Sequence, residues 1–334
     1  MTKTLRFQQL LIIFCVLFLS ACESTVMREF NHHMAGNDFR SAQTMLNGEL
    51  SQNPNSAEAN YLMGNLLSRE KNYEEANAYF ERSLSSSFLF REHIDYLKER
   101  NYRLELNEGL NAWEQENAQR TIQHLNYANQ IFPDRIEVYP TLGNAYEAAQ
   151  QPAEAQRTYR RCLALDAENF QCGLNLAVSL FINREFSDAI TFVSEFNEYY
   201  STNPNLLKIL AYSYLETGDP DKAEETFDKF LAVGFNYEAV KQFANELNNM
   251  GEIYRAEKYF TRCLEQRPRD RDVLNALSYI YLETGNFRLM VQANERLVSM
   301  EPENRLLLEN LMLSYELYGD IDNYRLVRIE LGLD

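Results

Sequence analysis

Alanines recur along this chain at a spacing that few folds can produce. Ala42 and Ala76 stand 34 residues apart, Ala155, Ala189 and Ala223 follow one another at 34, and Ala256 comes 33 later. Each lies early in an amphipathic stretch that a short polar turn separates from a preceding one. Between Asn205 and Leu231, for example, Thr217-Gly218-Asp219-Pro220 divides two runs of helical periodicity. A period of about 34 residues with two helices in each describes stacked helical hairpins. The alanine has a steric reason, because where two helices cross closely only a small side chain keeps the backbones near contact. Continuing the period reaches Met290 and Tyr324, with Gly285 and Gly319 in the turns, and places Thr121 one period before Ala155. About nine units result. Thr121, Met290 and Tyr324 break the small-residue rule; at Tyr324 this suits a terminal cap, which has no following neighbour.

Within the unit from Asn205 to Leu231, the residues Ala211, Tyr214, Gly218, Ala223, Phe227 and Leu231 stand where the tetratricopeptide repeat places its small, aromatic, turn and large residues. The chain resembles that family. The resemblance implies an all-α solenoid, a right-handed superhelix of helical hairpins, continuous over residues 22–334, whose first helices line an inner, concave surface. The period slips once. Ala76 and Thr121 are 45 residues apart, and the surplus, which includes REHIDYLKERNYRLELNEGL, is charged and free of proline. It predicts a lengthened first helix or a helical insertion near residues 85–110; a ridge projecting toward a partner is the functional reading of the same residues.

At the N-terminus, Lys3 and Arg6 precede an apolar run from Leu10 to Leu19, followed by Leu19-Ser20-Ala21-Cys22. A charged region, a short apolar run and small residues predict a cleaved signal peptide over residues 1–21, too short for a comfortable membrane span. Its last four residues resemble the bacterial lipobox, whose cysteine is diacylated, becomes the new N-terminus and is acylated again. An ordinary signal with an incidental cysteine is the alternative. Glu23 after the cysteine resembles the enterobacterial sorting pattern for the outer membrane. The resemblance thus implies a protein lipid-anchored through Cys22, with its solenoid facing the periplasm of a diderm bacterium.

The formal net charge of −17 argues against nucleic-acid binding, which needs clustered Lys and Arg to neutralise phosphates. It argues equally against a polybasic membrane patch and leaves anchoring to acyl chains. Cys162 and Cys263 hold the same small-residue position late in their helices. Cys162 and Cys172 flank the turn between adjacent helices, where a disulfide and two separate packed thiols both fit. No cysteine or histidine spacing resembles a zinc site. His32, His33, His93 and His124 form no HExxH arrangement, and neither a glycine-rich phosphate loop nor a serine elbow is present. We expect no catalysis, no metal and no cofactor.

The resemblance places Tyr61, Asn65, Trp113, Asn144, Phe181, Tyr212, Lys241, Asn245 and Tyr279 on the concave face. Aromatics interspersed with amides suit an extended peptide, since rings give contact area at low entropy cost and amides satisfy its backbone. Half-buried packing without a ligand accounts for the same residues. Lys241 and Asn245 resemble the first pair of the carboxylate clamp found in some repeats of the family. Ala276, Leu306 and Asn310 stand where later clamp residues are due, so capture of a C-terminal chaperone tail is not expected.

These features suggest a membrane-anchored protein–protein interaction scaffold for an envelope assembly, with other envelope proteins or their extended peptides as partners. Lipoproteins of this layout serve pilus assembly, secretion, outer-membrane protein insertion, exopolysaccharide export or recruitment of peptidoglycan hydrolases. Pilus or secretion apparatus biogenesis is the expectation. A peptide-binding adaptor recruiting a periplasmic enzyme such as a hydrolase, an exopolysaccharide export scaffold, and a protein whose aromatics stack on sugars remain open beside it.

Overall fold

The structure is a computed structural model. It describes residues 24–333 apart from Ser201, with Asn197, Glu198 and Tyr199 described through their backbone alone. The signal segment and Cys22 lie outside the described residues. Among the described residues there are eighteen α-helices, two short 3-10 turns and no strand.

The helices pair in sequence order. α1 (Thr25–Ala35) and α2 (Phe39–Gln52) form the first hairpin, α3 (Ala57–Arg69) and α4 (Tyr73–Ser86) the second. A 3-10 turn at Phe88–Phe90 leads into α5 (Arg91–Glu114), which folds back on α6 (Ala118–Ile131). There follow α7 (Tyr139–Ala148) with α8 (Pro152–Leu165), α9 (Phe170–Ile182) with α10 (Phe186–Tyr200), and α11 (Pro204–Glu216) with α12 (Pro220–Val233). The last three pairs are α13 (Tyr237–Asn249) with α14 (Ile253–Gln266), α15 (Arg271–Glu283) with α16 (Phe287–Met300), and α17 (Arg305–Tyr318) with α18 (Ile321–Glu330). The packing divides the chain into two compact units, Met1–Asn175 and Leu176–Asp334.

Local chemistry starts and stops these helices. Ser24, Asp38, Ser56, Asn203, Asp219, Asn236, Asp270, Asn304 and Asp320 each cap a helix, the side-chain oxygen accepting a hydrogen bond from a first-turn amide. The turn inside each hairpin holds one residue at positive φ: Asn37, Lys71, Glu116 and Gln150 in the first unit, and Arg184, Gly218, Gly251, Gly285 and Gly319 in the second. Glycine adopts that conformation freely, whereas any other residue does so against its Cβ.

The marker alanines, Ala42, Ala76, Ala155, Ala189, Ala223 and Ala256, are all fully buried. Facing helices approach closely enough that glycine is required on the first helix at two instructive points. A Cβ on Gly64 would lie 2.6 Å from the Phe80 ring, and one on Gly143 would lie 2.2 Å from the ring of Tyr159. In the second unit rings pack between successive hairpins: Phe227 and Phe243 stack at 3.9 Å, with Tyr259 edge-on to both. Fully buried side chains of this size each stabilise the fold by roughly 1.5–3 kcal/mol, and the ring geometry adds about 0.5–1.5 kcal/mol per pair. Met290 is buried in this core.

The slip in the period is one long helix. α5 has 24 residues, about 36 Å at 1.5 Å each. Its N-terminal turns place Ile94 and Leu97 in the core of the first two hairpins, while Tyr102 belongs to the next core with Leu125 and Leu142. The helix therefore joins two adjacent cores of the first unit. Cys162 and Cys172 form a disulfide between the end of α8 and the start of α9. Cys263 is a free thiol, buried, and burial pushes its pKa up to about 11, so it is unreactive near neutral pH.

Candidate functional site

The residues expected on the concave face have three different fates. Some are core. Tyr212, on α11, is 7 % exposed; its hydroxyl donates to the Ala239 carbonyl at 3.3 Å, and its ring stands edge-on to Phe227 and Phe243. Tyr61, on α3, lies under the 3-10 turn, stacked on Phe90 at 4.7 Å with His93 at its edge. Burial raises the pKa of this phenol. Others are held by polar partners. Asn144 accepts from the Tyr159 hydroxyl and from the Asn175 amide, both at 2.8 Å. Lys241 bonds Asp272 at 2.9 Å and Asp270 at 3.2 Å. Burial would lower the lysine pKa, but the two carboxylates outweigh it and raise it.

Asn65 and Trp113 in the first unit and Phe181 in the second are half-buried, Phe181 edge-on to Phe186 at 5.5 Å. Asn245 and Tyr279 are exposed, Tyr279 at 68 %. Four of the nine, Tyr61, Asn144, Tyr212 and Lys241, already have the packing or charge partners that a ligand would need to supply.

Around Tyr279 the second unit exposes residues that the sequence reading passed over. Leu313 stands one 34-residue period after Tyr279, and Leu306, Leu313 and Leu317 follow one face of α17 at helical spacing. All three are exposed, Leu306 at 64 %, as is Leu282 on α15. The period was the available signal, since adding it to Tyr279 reaches Leu313. Alongside, a shallow cleft of about 350 Å³ opens between the C-terminal ends of α11 and α13, lined by Tyr212, Leu215, Glu216, Gly218, Glu246 and Met250. It has room for a side chain and offers two carboxylates beside an apolar wall.

The tetratricopeptide-repeat sequence profile matches residues 27–87 and 141–197, and a second profile of the same repeat matches residues 209–233. In these three stretches the chain carries tetratricopeptide repeats. Among solved structures it is similar to the crystal structure of the MamA protein, with 20 % identity over 51 % of this chain and 94 % of that one, at a TM-score of 0.47. It is also similar to pilF of Pseudomonas aeruginosa, with 17 % identity, 67 % and 98 % coverage, and a TM-score of 0.43. A third is YrrB, titled a TPR protein with an unusual peptide-binding site, with 17 % identity, 55 % and 96 % coverage, and a TM-score of 0.44. No curated protein matches the chain significantly.

Lys241 is neutralised from within the chain by Asp270 and Asp272. Asp270 also accepts from Tyr237 at 2.5 Å and caps α15 through Val273, so the carboxylate that holds the lysine is itself fixed. The arrangement closest to acid–base chemistry lies in the first unit, where Glu105 meets His124, Tyr73 and Lys71. Glu105 has no exposed surface, so no substrate reaches it. Among the described residues no group of three or more His, Cys, Asp or Glu is placed to hold a metal ion.

Proposed function

We propose that this chain is a lipid-anchored docking scaffold of an envelope assembly, in which the exposed face of α15 and α17 holds a partner protein. The observation that carries the reading is the run of Tyr279, Leu282, Leu306, Leu313 and Leu317 left uncovered on the first helices of the last two hairpins. Apolar side chains at this density on a helix surface lose stabilisation by standing in water and regain it when a partner covers them. Stacked hairpins also hold such side chains rigidly, so little ordering entropy opposes docking. The lipobox-like Leu19-Ser20-Ala21-Cys22 and Glu23 support anchoring at the outer membrane, with the repeats in the periplasm. Pilus or secretion apparatus biogenesis is the assembly we favour.

A second reading, an adaptor that brings a periplasmic enzyme such as a peptidoglycan hydrolase to its site, draws on the cleft beside Tyr212 and Met250. One experiment separates the two. Crosslinking from intact envelopes is compared for the unaltered protein, a Tyr279→Ala/Leu313→Ala pair and a Met250→Glu variant, each with a C-terminal tag. Loss of secretin or pilin-assembly components in the pair supports the scaffold. Loss of a soluble hydrolase in Met250→Glu alone supports the adaptor. Unchanged capture in both variants refutes docking through this face.

A further inference from the structure

One edge of the first unit is built differently from the other. The Ser24 hydroxyl donates to Glu58 at 2.5 Å, and the Ser83 hydroxyl donates to the Ala57 carbonyl at 2.7 Å. Two neighbouring residues at the start of α3 therefore tie together the start of α1 and the end of α4. Phe88 and Leu89 come five and six residues after Ser83, in the link between α4 and α5, and so lie on the same edge. They are the most protruding apolar pair of this unit, 69 % and 75 % exposed.

The first two links along that edge carry no charge, and Glu58, at the start of α3, is held there by Ser24. Ser51-Gln52-Asn53-Pro54-Asn55-Ser56-Ala57 joins the first two hairpins, and Ser83-Leu84-Ser85-Ser86-Ser87-Phe88-Leu89-Phe90 joins the second to the third. The hairpin turns at the other edge differ, holding Asp38, Glu70, Lys71 and Glu116. The second link is bounded by Arg82 and Arg91, each next to a glutamate, Glu81 and Glu92, and the Arg91 guanidinium lies 4.7 Å from the centre of the Phe88 ring.

Cys22 is two residues before Ser24. Two residues span at most about 7 Å, so acyl chains on Cys22 would hold this edge against the membrane.

We infer that the edge formed by Ser24, the link Ser51–Ala57 and the tip Phe88–Leu89 is a lipid-facing surface, with Phe88 and Leu89 entering the headgroup region. The inference rests on lipidation of Cys22. Links without charged residues can approach anionic headgroups more closely than the acidic hairpin turns at the other edge. An exposed Phe-Leu pair beside arginines is suited to the boundary, the apolar side chains reaching the acyl region and the guanidinium groups meeting phosphate. Contact at a second point two hairpins from the anchor would fix the orientation of the first unit on the membrane, where acyl chains alone leave it free to pivot.

The test uses the acylated full-length protein with Leu89→Cys, labelled with a solvatochromic fluorophore and reconstituted into phosphatidylethanolamine–phosphatidylglycerol vesicles containing doxyl-labelled lipid. Cys263 is buried and Cys162 is bonded to Cys172, so labelling of the folded protein is directed to position 89. Gln115→Cys, at the far end of α5 and some 36 Å along the helix, is the control. The expected result is a blue-shifted emission at position 89, quenched by the doxyl lipid, with neither change at 115.

Water-like emission at both positions, in protein that mass spectrometry shows acylated and that floats with the vesicles, overturns the inference and leaves the anchor intact. A blue shift at 89 that doxyl lipid does not quench means that protein covers the tip, and also overturns it. Absence of acyl groups on Cys22 removes the anchor and the inference together, which the mass spectrum distinguishes from the first two outcomes.

Discussion

The Nδ1 of His124 lies 2.6 Å from Glu105, a carboxylate with no exposed surface. The Tyr73 hydroxyl donates to its other oxygen at 2.8 Å, and the Lys71 ammonium reaches the same oxygen at 2.9 Å. Three elements, the turn before α4, the middle of α5 and α6, thus meet on one buried charge. Burial pushes the glutamate pKa up, but the hydrogen bonds from His124, Lys71 and Tyr73 together overcome it and hold the pKa below the ordinary value. Breaking a buried ionic group by removing one member costs about 3–5 kcal/mol. Glu105→Leu is expected to lose stability on that scale in denaturant titrations, and Glu105→Gln less, because its amide oxygen still accepts hydrogen bonds.

The same group predicts an acid dependence. Because its pKa is depressed in the folded state, its contribution is complete above the unfolded glutamate value of about 4.3 and is lost as pH falls through the lower folded value. Thermal melts from neutral to acidic pH should fall less steeply in Glu105→Gln than in the unaltered protein below about pH 4.3. Equal slopes would show that the carboxylate does not couple folding to protons.

Tyr159 is fixed at both ends, its ring packed over Gly143 and its hydroxyl on Asn144. A methyl group at position 143 therefore has nowhere to go. Overpacking costs about 1–3 kcal/mol, and the higher helix propensity of alanine returns at most about 1 kcal/mol. Gly143→Ala should be less stable than the unaltered protein; a variant of equal or greater stability would show that α7 and α8 separate easily.

Glu116 occupies the left-handed turn position at φ 56°, where four hairpin turns of the second unit use glycine. The strained conformation costs roughly 1–2 kcal/mol, part of which glycine gives back through unfolded-state entropy. Glu116→Gly should stabilise the protein by about 0.5–1 kcal/mol, seen as a raised melting temperature.

The disulfide closes a short loop between positions 162 and 172. Chain-entropy reasoning gives about 3 kcal/mol for a loop of this size. Reduction should lower the melting temperature of the oxidised protein, and Cys162→Ser/Cys172→Ser should reproduce the loss without further sensitivity to reductant. Alkylation of the unfolded, unreduced protein should label Cys263 and neither partner of the bridge.

Tyr212 and Tyr279 occupy corresponding faces of first helices two hairpins apart, yet one is buried and the other exposed. Tyr212→Ala is expected to cost about 3–5 kcal/mol as a core cavity. Tyr279→Ala should change stability by less than about 0.5 kcal/mol while weakening partner capture.

The repeat made the hairpins legible because close helix crossing constrains one position in every unit: Ala42, Ala76 and their successors announce themselves as a spacing. It could not separate Tyr212 from Tyr279, since equal register says where a residue starts and not what the next helix brings over it. Phe90 covers Tyr61 because the long α5 carries it there, and Asp270 and Asp272 occupy Lys241 from the following hairpin. Glu105 gave no signal at all in a chain rich in exposed carboxylates.

The sequence by itself determined the period, the all-helical class, the hairpin turns and the residues that must be small, because these depend on local backbone geometry and on contacts one period apart. Only the tertiary structure decided which aromatics are core, which cation is already neutralised, which carboxylate is buried and which apolar residues protrude. Those properties belong to side chains brought together across hairpins, and the free energy of burying or exposing them depends on neighbours that a spacing does not identify.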